Sequence, residues 1–129
     1  MTIRVLIVDD ETLIASSLKV FLEDEGFAVT VAGSGEEAIE ILKQESDFRV
    51  CVMDMRLPGL DGNATIRQLH ELSPGMRFIV HTGSIDYRVP ADLQRLGIRT
   101  DHLFHKPLID MKPIADTIRS LAPLKSSND

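Results

Sequence analysis

Residues 49–62 read RVCVMDMRLPGLDG: a short apolar run, a carboxylate at its end, and then Leu57-Pro58-Gly59, which no regular element carries through. Val50, Cys51, Val52 and Met53 do not alternate with polar residues, so both faces of this strand are expected to be covered. The same grammar recurs in both directions along the chain. Residues 3–8 end in Asp9-Asp10, residues 78–80 in His81-Thr82, and Leu103-Phe104 in His105-Lys106. In an open parallel sheet the carboxyl ends of the strands line one crevice, so residues far apart in sequence converge on one ligand. Carboxylates, a hydroxyl and an ammonium gathered there suit a phosphoryl group with magnesium.

The segments between these runs read as helices and one further strand. Ile14, Leu18, Phe21 and Leu22 recur at helical spacing across 11–25, and Gly26 stands where a left-handed cap ends a helix. Phe27, Val29 and Val31 alternate with Ala28, Thr30 and Ala32, as in a strand with two unequal faces near a sheet edge. Ser34 is a candidate N-cap for a second helix, with Glu36 and Glu37 at the positive end of its dipole and Ala38, Ile41 and Leu42 on its buried stripe. Asp61 is placed to cap a third helix whose inner face takes Ile66 and Leu69, with Leu72 near its end. Residues 77–81 form the fourth strand and 103–105 a short fifth. Between them, 86–96 is expected to hold a fourth helix starting near Val89 or Pro90, because proline suits a first turn. A last helix spans about 110–121, where Ile114, Ile118 and Leu121 repeat and Pro113 lies early enough to be tolerated. Five strand–helix pairs with short loops predict a single doubly wound α/β domain with a five-stranded parallel sheet. It is expected over 1–122, with 123–129 a polar tail or the start of a linker.

A chain of 129 residues with 43% hydrophobic content is enough for one continuous core. The balance of 20 acidic against 14 basic residues gives −6, which argues against direct contact with nucleic acid. No apolar run nears the roughly 20 residues of a bilayer span, and no basic region precedes a signal-like stretch. A cytoplasmic protein without membrane attachment is expected. Cys51, the lone cysteine, excludes an internal disulfide and reads as a small buried hydrophobe.

Taken in order, Val8-Asp9-Asp10-Glu11, residues 52–62, Thr82-Gly83 and Lys106-Pro107 resemble the response-regulator receiver domain of bacterial two-component signalling, a flavodoxin-like fold, over residues 3 to about 121. The resemblance implies that Asp54 is the phosphoacceptor, whose carboxylate attacks the phosphorus of a phosphohistidine donor to form an acyl phosphate. It implies magnesium held directly by Asp10, directly or through water by Asp9, and by Asp54 and the backbone carbonyl of Arg56, with manganese able to substitute. Lys106 follows the phosphoryl oxygens, Thr82 is the switch hydroxyl, and the backbones of Arg56 and Gly83 bind the phosphoryl group. The Lys106-Pro107 peptide is expected to be cis. The implied phosphoryl source is a sensor histidine kinase or a histidine phosphotransfer protein, and the output is an unidentified downstream protein partner. On this reading the chain is a switch and not an enzyme.

Several residues depart from the family pattern. Leu103 stands three before Lys106, where many receivers carry an aromatic residue coupled to the switch hydroxyl, and the two-residue period of a strand sends Phe104 to the opposite face. The stretch from Thr82 to Lys106 is slightly longer than is common. Arg56 and Ser84 flank the path of an attacking water and are expected to set how long the phosphoryl group persists. His81, His102 and His105 are expected to crowd the same end of the sheet, but their spacing matches no zinc motif and magnesium prefers oxygen. Competing readings are a phosphorylation-independent docking domain and a receiver fragment of a larger regulator with an output domain. A magnesium phosphohydrolase is disfavoured because Arg56 stands where haloacid-dehalogenase-like enzymes place a second aspartate. A nucleotide-binding module is disfavoured because no glycine-rich loop follows the first strand.

Overall fold

The apolar runs become five parallel strands, β1 (Arg4–Val8), β2 (Ala28–Ala32), β3 (Val50–Met53), β4 (Arg77–Thr82) and β5 (Leu103–His105), in the sheet order β2-β1-β3-β4-β5. The structure, a computed structural model, describes residues 2–45 and 47–122. The tail expected at 123–129 lies outside the described residues. Each connection between strands contains a helix: α1 (Thr12–Asp24), α2 (Gly35–Gln44), α3 (Gly62–Leu72) and α4 (Ala91–Arg95), with α5 (Lys112–Leu121) after β5. The alternating strand β2 is at the edge and the unalternating β1, β3 and β4 are inside, as their patterns require.

The pleat divides the core into two layers. Leu6, Val8, Cys51, Met53, Phe78 and Val80 pack with Ala38, Leu42, Ile66, Leu69 and Leu93 of α2, α3 and α4. Val5, Ile7, Val50, Val52 and Ile79 pack on the other face with Ala15, Leu18, Leu22, Ile114 and Ile118 of α1 and α5. Side chains such as Leu22, Ile66 and Ile118 are fully buried, and each contributes about 1.5–3 kcal/mol relative to exposure. Leu103 packs against the first layer and Phe104 against the second, so the face reversal expected at β5 is present.

Local chemistry explains where the helices begin and end. Ser34 Oγ accepts the Glu37 N–H at 3.1 Å and Asp61 Oδ1 accepts the Ala64 N–H at 2.9 Å, the two expected caps. Gly26 ends α1 at φ +100. Helix α4 departs from expectation: it starts at Ala91 with Pro90 as its N-cap and runs for five residues. Val89 is disfavoured from helical geometry by the proline that follows it, and Gly97 at φ +96 closes the other side. The pair Arg67–Asp92, with contacts of 2.7 and 3.2 Å, ties this single turn to α3. Leu72, at the end of α3, is 40% exposed and lies off the buried stripe formed by Ile66 and Leu69.

Candidate functional site

Strand register brings the site together. Val8 stands beside Met53 in the β1–β3 pairing, so Asp9 and Asp54 leave the sheet as neighbours. The ladder continues through them: the Asp9 N–H donates to Ala32 O at 3.0 Å and the Asp54 N–H to Val8 O at 2.9 Å, which fixes both backbones. On the other side of β4, the Lys106 N–H donates to Thr82 O at 2.9 Å. Lys106 therefore starts its side chain next to Thr82, and its long stem returns the ammonium to the carboxylates.

Lys106 Nζ lies 2.8 Å from Asp9 Oδ2, 2.9 Å from Glu11 Oε1 and 3.3 Å from Asp54 Oδ2. Asp9 is 3% exposed, Asp54 2% and the Lys106 side chain 6%. Asp54 Oδ1 also accepts the Arg56 N–H at 3.2 Å, and Asp9 Oδ1 the Glu11 N–H at 2.9 Å. Thr82 is fully buried, its Oγ1 accepting the Ser84 N–H at 3.2 Å, while Gly83 and Arg56 are exposed beside the crevice. The expected cis peptide is present at Lys106-Pro107. Gly62, the first residue of α3, sits so close to the chain after Asp54 that a Cβ there would fall 2.6 Å from Asp54 O. This contact sets the path of the acceptor loop.

Charge is unbalanced here. Three carboxylates surround one ammonium, and two of the three are taken out of water. Burial pushes the Asp54 carboxyl above the usual range; the Arg56 N–H and Lys106 oppose this, and neighbouring Asp9 adds to it. Burial disfavours the Lys106 charge, but hydrogen bonds to Asp9 and Glu11 outweigh it and the pKa ends raised. Asp9, Glu11 and Asp54 each offer an oxygen within 4.8 Å of the others. An all-oxygen donor set with surplus negative charge fits a hard divalent cation such as magnesium.

The position of Asp10 differs from what the resemblance implies. It is exposed, and its carboxylate does not join the group around Lys106. Glu11 joins instead, which the sequence reading did not single out. Glu11 is the N-cap residue of α1, a position whose side chain often binds its own helix, yet it makes no capping bond and reaches Lys106, 95 residues on. Of the three histidines expected at one end of the sheet, His81 and His105 stand at the carboxyl ends of β4 and β5, where His105 pairs with Thr82 and is exposed, and His102 does not join them. His81 is buried on the α1–α5 side, where it lines a cleft with Leu13, Ser17 and Pro107. Its Nε2 has no partner, and burial, followed by the charge of Lys106, holds its pKa down to about 4. His102 lies in the turn before β5, where its Nδ1 accepts the Arg99 N–H at 3.1 Å. Among the described residues no histidine joins the carboxylate group.

The described helices include none long and apolar enough to cross a membrane. Comparison with known proteins agrees with the site. The profile of the response regulator receiver domain matches residues 5–119. Sporulation initiation phosphotransferase F of Bacillus subtilis is 30% identical over 127 residues, covering 98% of this chain and 99% of its own. The alginate biosynthesis transcriptional regulatory protein AlgB of Pseudomonas aeruginosa is 34% identical over 94 residues, which cover 73% of this chain and 21% of that longer protein. Among solved structures, a CheY-like receiver domain protein from Methanospirillum hungatei superimposes with a TM-score of 0.75 at 27% identity, covering 93% of both chains.

Proposed function

The chain belongs to the response regulator receiver domain family of two-component signalling, and from that premise we propose that Asp54 is its phosphoacceptor, charged by a histidine kinase or histidine phosphotransfer protein. The observation that carries this reading is a 2% exposed carboxylate at a strand end, facing an ammonium that is outnumbered three to one by carboxylates. Asp54 Oδ forms a bond to phosphorus as the phosphorus–nitrogen bond of the donor breaks. The bonding pair stays with the imidazole, and Asp54 becomes an acyl phosphate. Lys106 balances charge on the phosphoryl oxygens, and the Thr82 hydroxyl and Gly83 N–H donate to them.

Asp9 and Asp54 of the gathered carboxylates, joined by Asp10 and the carbonyl of Arg56 from outside that group, are the groups that would hold magnesium, with manganese as a substitute. Bound there, the ion supplies two positive charges against the carboxylates and the incoming phosphoryl oxygens. Arg56 and Ser84, beside Asp54 and Thr82, control access of water to the acyl phosphate. The domain acts as a switch in the cytoplasm that presents a surface to a downstream protein. With Leu103 three residues before Lys106 and packed in the first core layer, no aromatic side chain at that position couples to the Thr82 hydroxyl. Intact-mass spectrometry with acetyl phosphate tests the assignment. A magnesium-dependent gain of one phosphoryl group in the native chain, absent from Asp54→Ala, is expected. Labelling that persists in Asp54→Ala would overturn it.

A further inference from the structure

Of the three carboxylates on Lys106, Glu11 alone is substantially exposed, its side chain 54% accessible against 3% for Asp9 and 2% for Asp54. Its carboxylate is held 2.9 Å from the Lys106 ammonium and is not engaged in capping α1. It is therefore fixed within 4.8 Å of the Asp54 and Asp9 oxygens while still facing solvent. Asp10 is also exposed, but its carboxylate is not in this group. A donor approaching Asp54 meets the Glu11 charge at short range, where water screens it incompletely. Without Glu11, Lys106 would face two carboxylates instead of three.

Resting on the reading of Asp54 as phosphoacceptor, we propose that Glu11 is a specificity-determining residue that selects phosphodonors by charge. It disfavours dianionic acyl phosphates and favours donors whose phosphoryl group is carried on a protonated nitrogen. With acetyl phosphate, Asp54 Oδ bonds to phosphorus, the phosphorus–oxygen bond breaks and acetate leaves with the electron pair. With phosphoramidate the phosphorus–nitrogen bond breaks, and the already protonated nitrogen leaves as neutral ammonia. Both routes yield the same aspartyl phosphate. The first donor brings two negative charges past Glu11 and the second brings a net single charge, so repulsion by Glu11 falls more heavily on the first.

The test is the labelling rate by intact mass at saturating magnesium, with each donor in turn, for the native chain, Glu11→Gln and Asp24→Asn. Glu11→Gln keeps the side-chain shape and removes the charge. Asp24→Asn makes the same change in net charge at the far, exposed end of α1. Glu11→Gln is expected to raise the ratio of acetyl phosphate to phosphoramidate rates by about twofold to fourfold, the size of one partly screened charge at close range. The native ratio should rise with added salt, and that of Glu11→Gln should change less. An unchanged ratio in Glu11→Gln, or an equal shift in Asp24→Asn, would overturn the proposal while leaving Asp54 as acceptor. Failure of the native chain to label with either donor would overturn both.

Discussion

Each end of this sheet holds a cation paired with carboxylates, and the two groups differ in what surrounds them. At the amino end, Arg4 of β1 meets Glu45 at 2.7 Å and also bonds Asp47, with its guanidinium 4.2 Å from the centre of the Phe48 ring. Those carboxylates are 51% and 70% exposed. At the carboxyl end, Lys106 meets Asp9 and Asp54, which are almost fully buried, and Glu11. Water already solvates the first set, so its ion pairs add little to stability. The second set has lost that water without gaining enough positive charge to replace it. Contacts of similar length thus have different consequences: one end stays solvated and contributes little, and the other stores a demand for a cation and a phosphoryl group.

Removing the cation at each end should expose the difference. Lys106→Met leaves Asp9 and Asp54 buried without their ammonium, and metal-free stability in urea should fall by about 3–5 kcal/mol. Magnesium should restore part of that loss. A change as small as that of an exposed pair would mean that Asp9 and Asp54 are well solvated, and the contrast would fail.

The second expected effect concerns the buried histidine beside the crevice. His81 has a pKa near 4 in the fold against an ordinary 6.5, so the unfolded chain binds the extra proton first. Its contribution to stability is complete above about pH 6.5 and is lost as pH falls toward 4, a total of about 3 kcal/mol. Lys106 opposes protonation of His81, while Asp54 and Glu11 favour it. His81→Leu should flatten this part of the acid limb in urea titrations from pH 7 to pH 4. An equally steep limb in the variant would place the proton uptake on other groups.

The smallest effect belongs to the amino end. Arg4→Met should cost less than about 1 kcal/mol, most of it removed by added salt. A salt-insensitive loss of several kcal/mol would show that exposure does not separate the two ends.

Much of this was legible in the sequence because strands covered on both faces leave an unmistakable apolar run. The strand-end residues of β1, β3, β4 and β5 were visible as a set, and the alternation in β2 placed it at an edge. Helix α4 was legible in its punctuation at Pro90, but proline was read as a first-turn residue when it serves as the cap, and the stop at Gly97 was not read. Glu11 was hidden for a different reason. Its partner lies across the sheet, and nothing local distinguishes a glutamate that caps its helix from one that leaves it for Lys106. The same limit applies to Asp9 and Asp10, where adjacent carboxylates differ only in which one the end of β1 turns inward.

The storage of unneutralised charge at the carboxyl end is tested most directly by the melting temperature of the native chain and Asp54→Asn, each metal-free and at saturating magnesium. Burial holds the Asp54 pKa above its ordinary value, so its charged form weakens the metal-free fold at neutral pH, and the weakening is relieved as pH falls. Asp54→Asn should therefore melt higher than the native chain without metal and gain less from magnesium. A metal-free Asp54→Asn that melts lower, with the same rise on adding magnesium as the native chain, would contradict it.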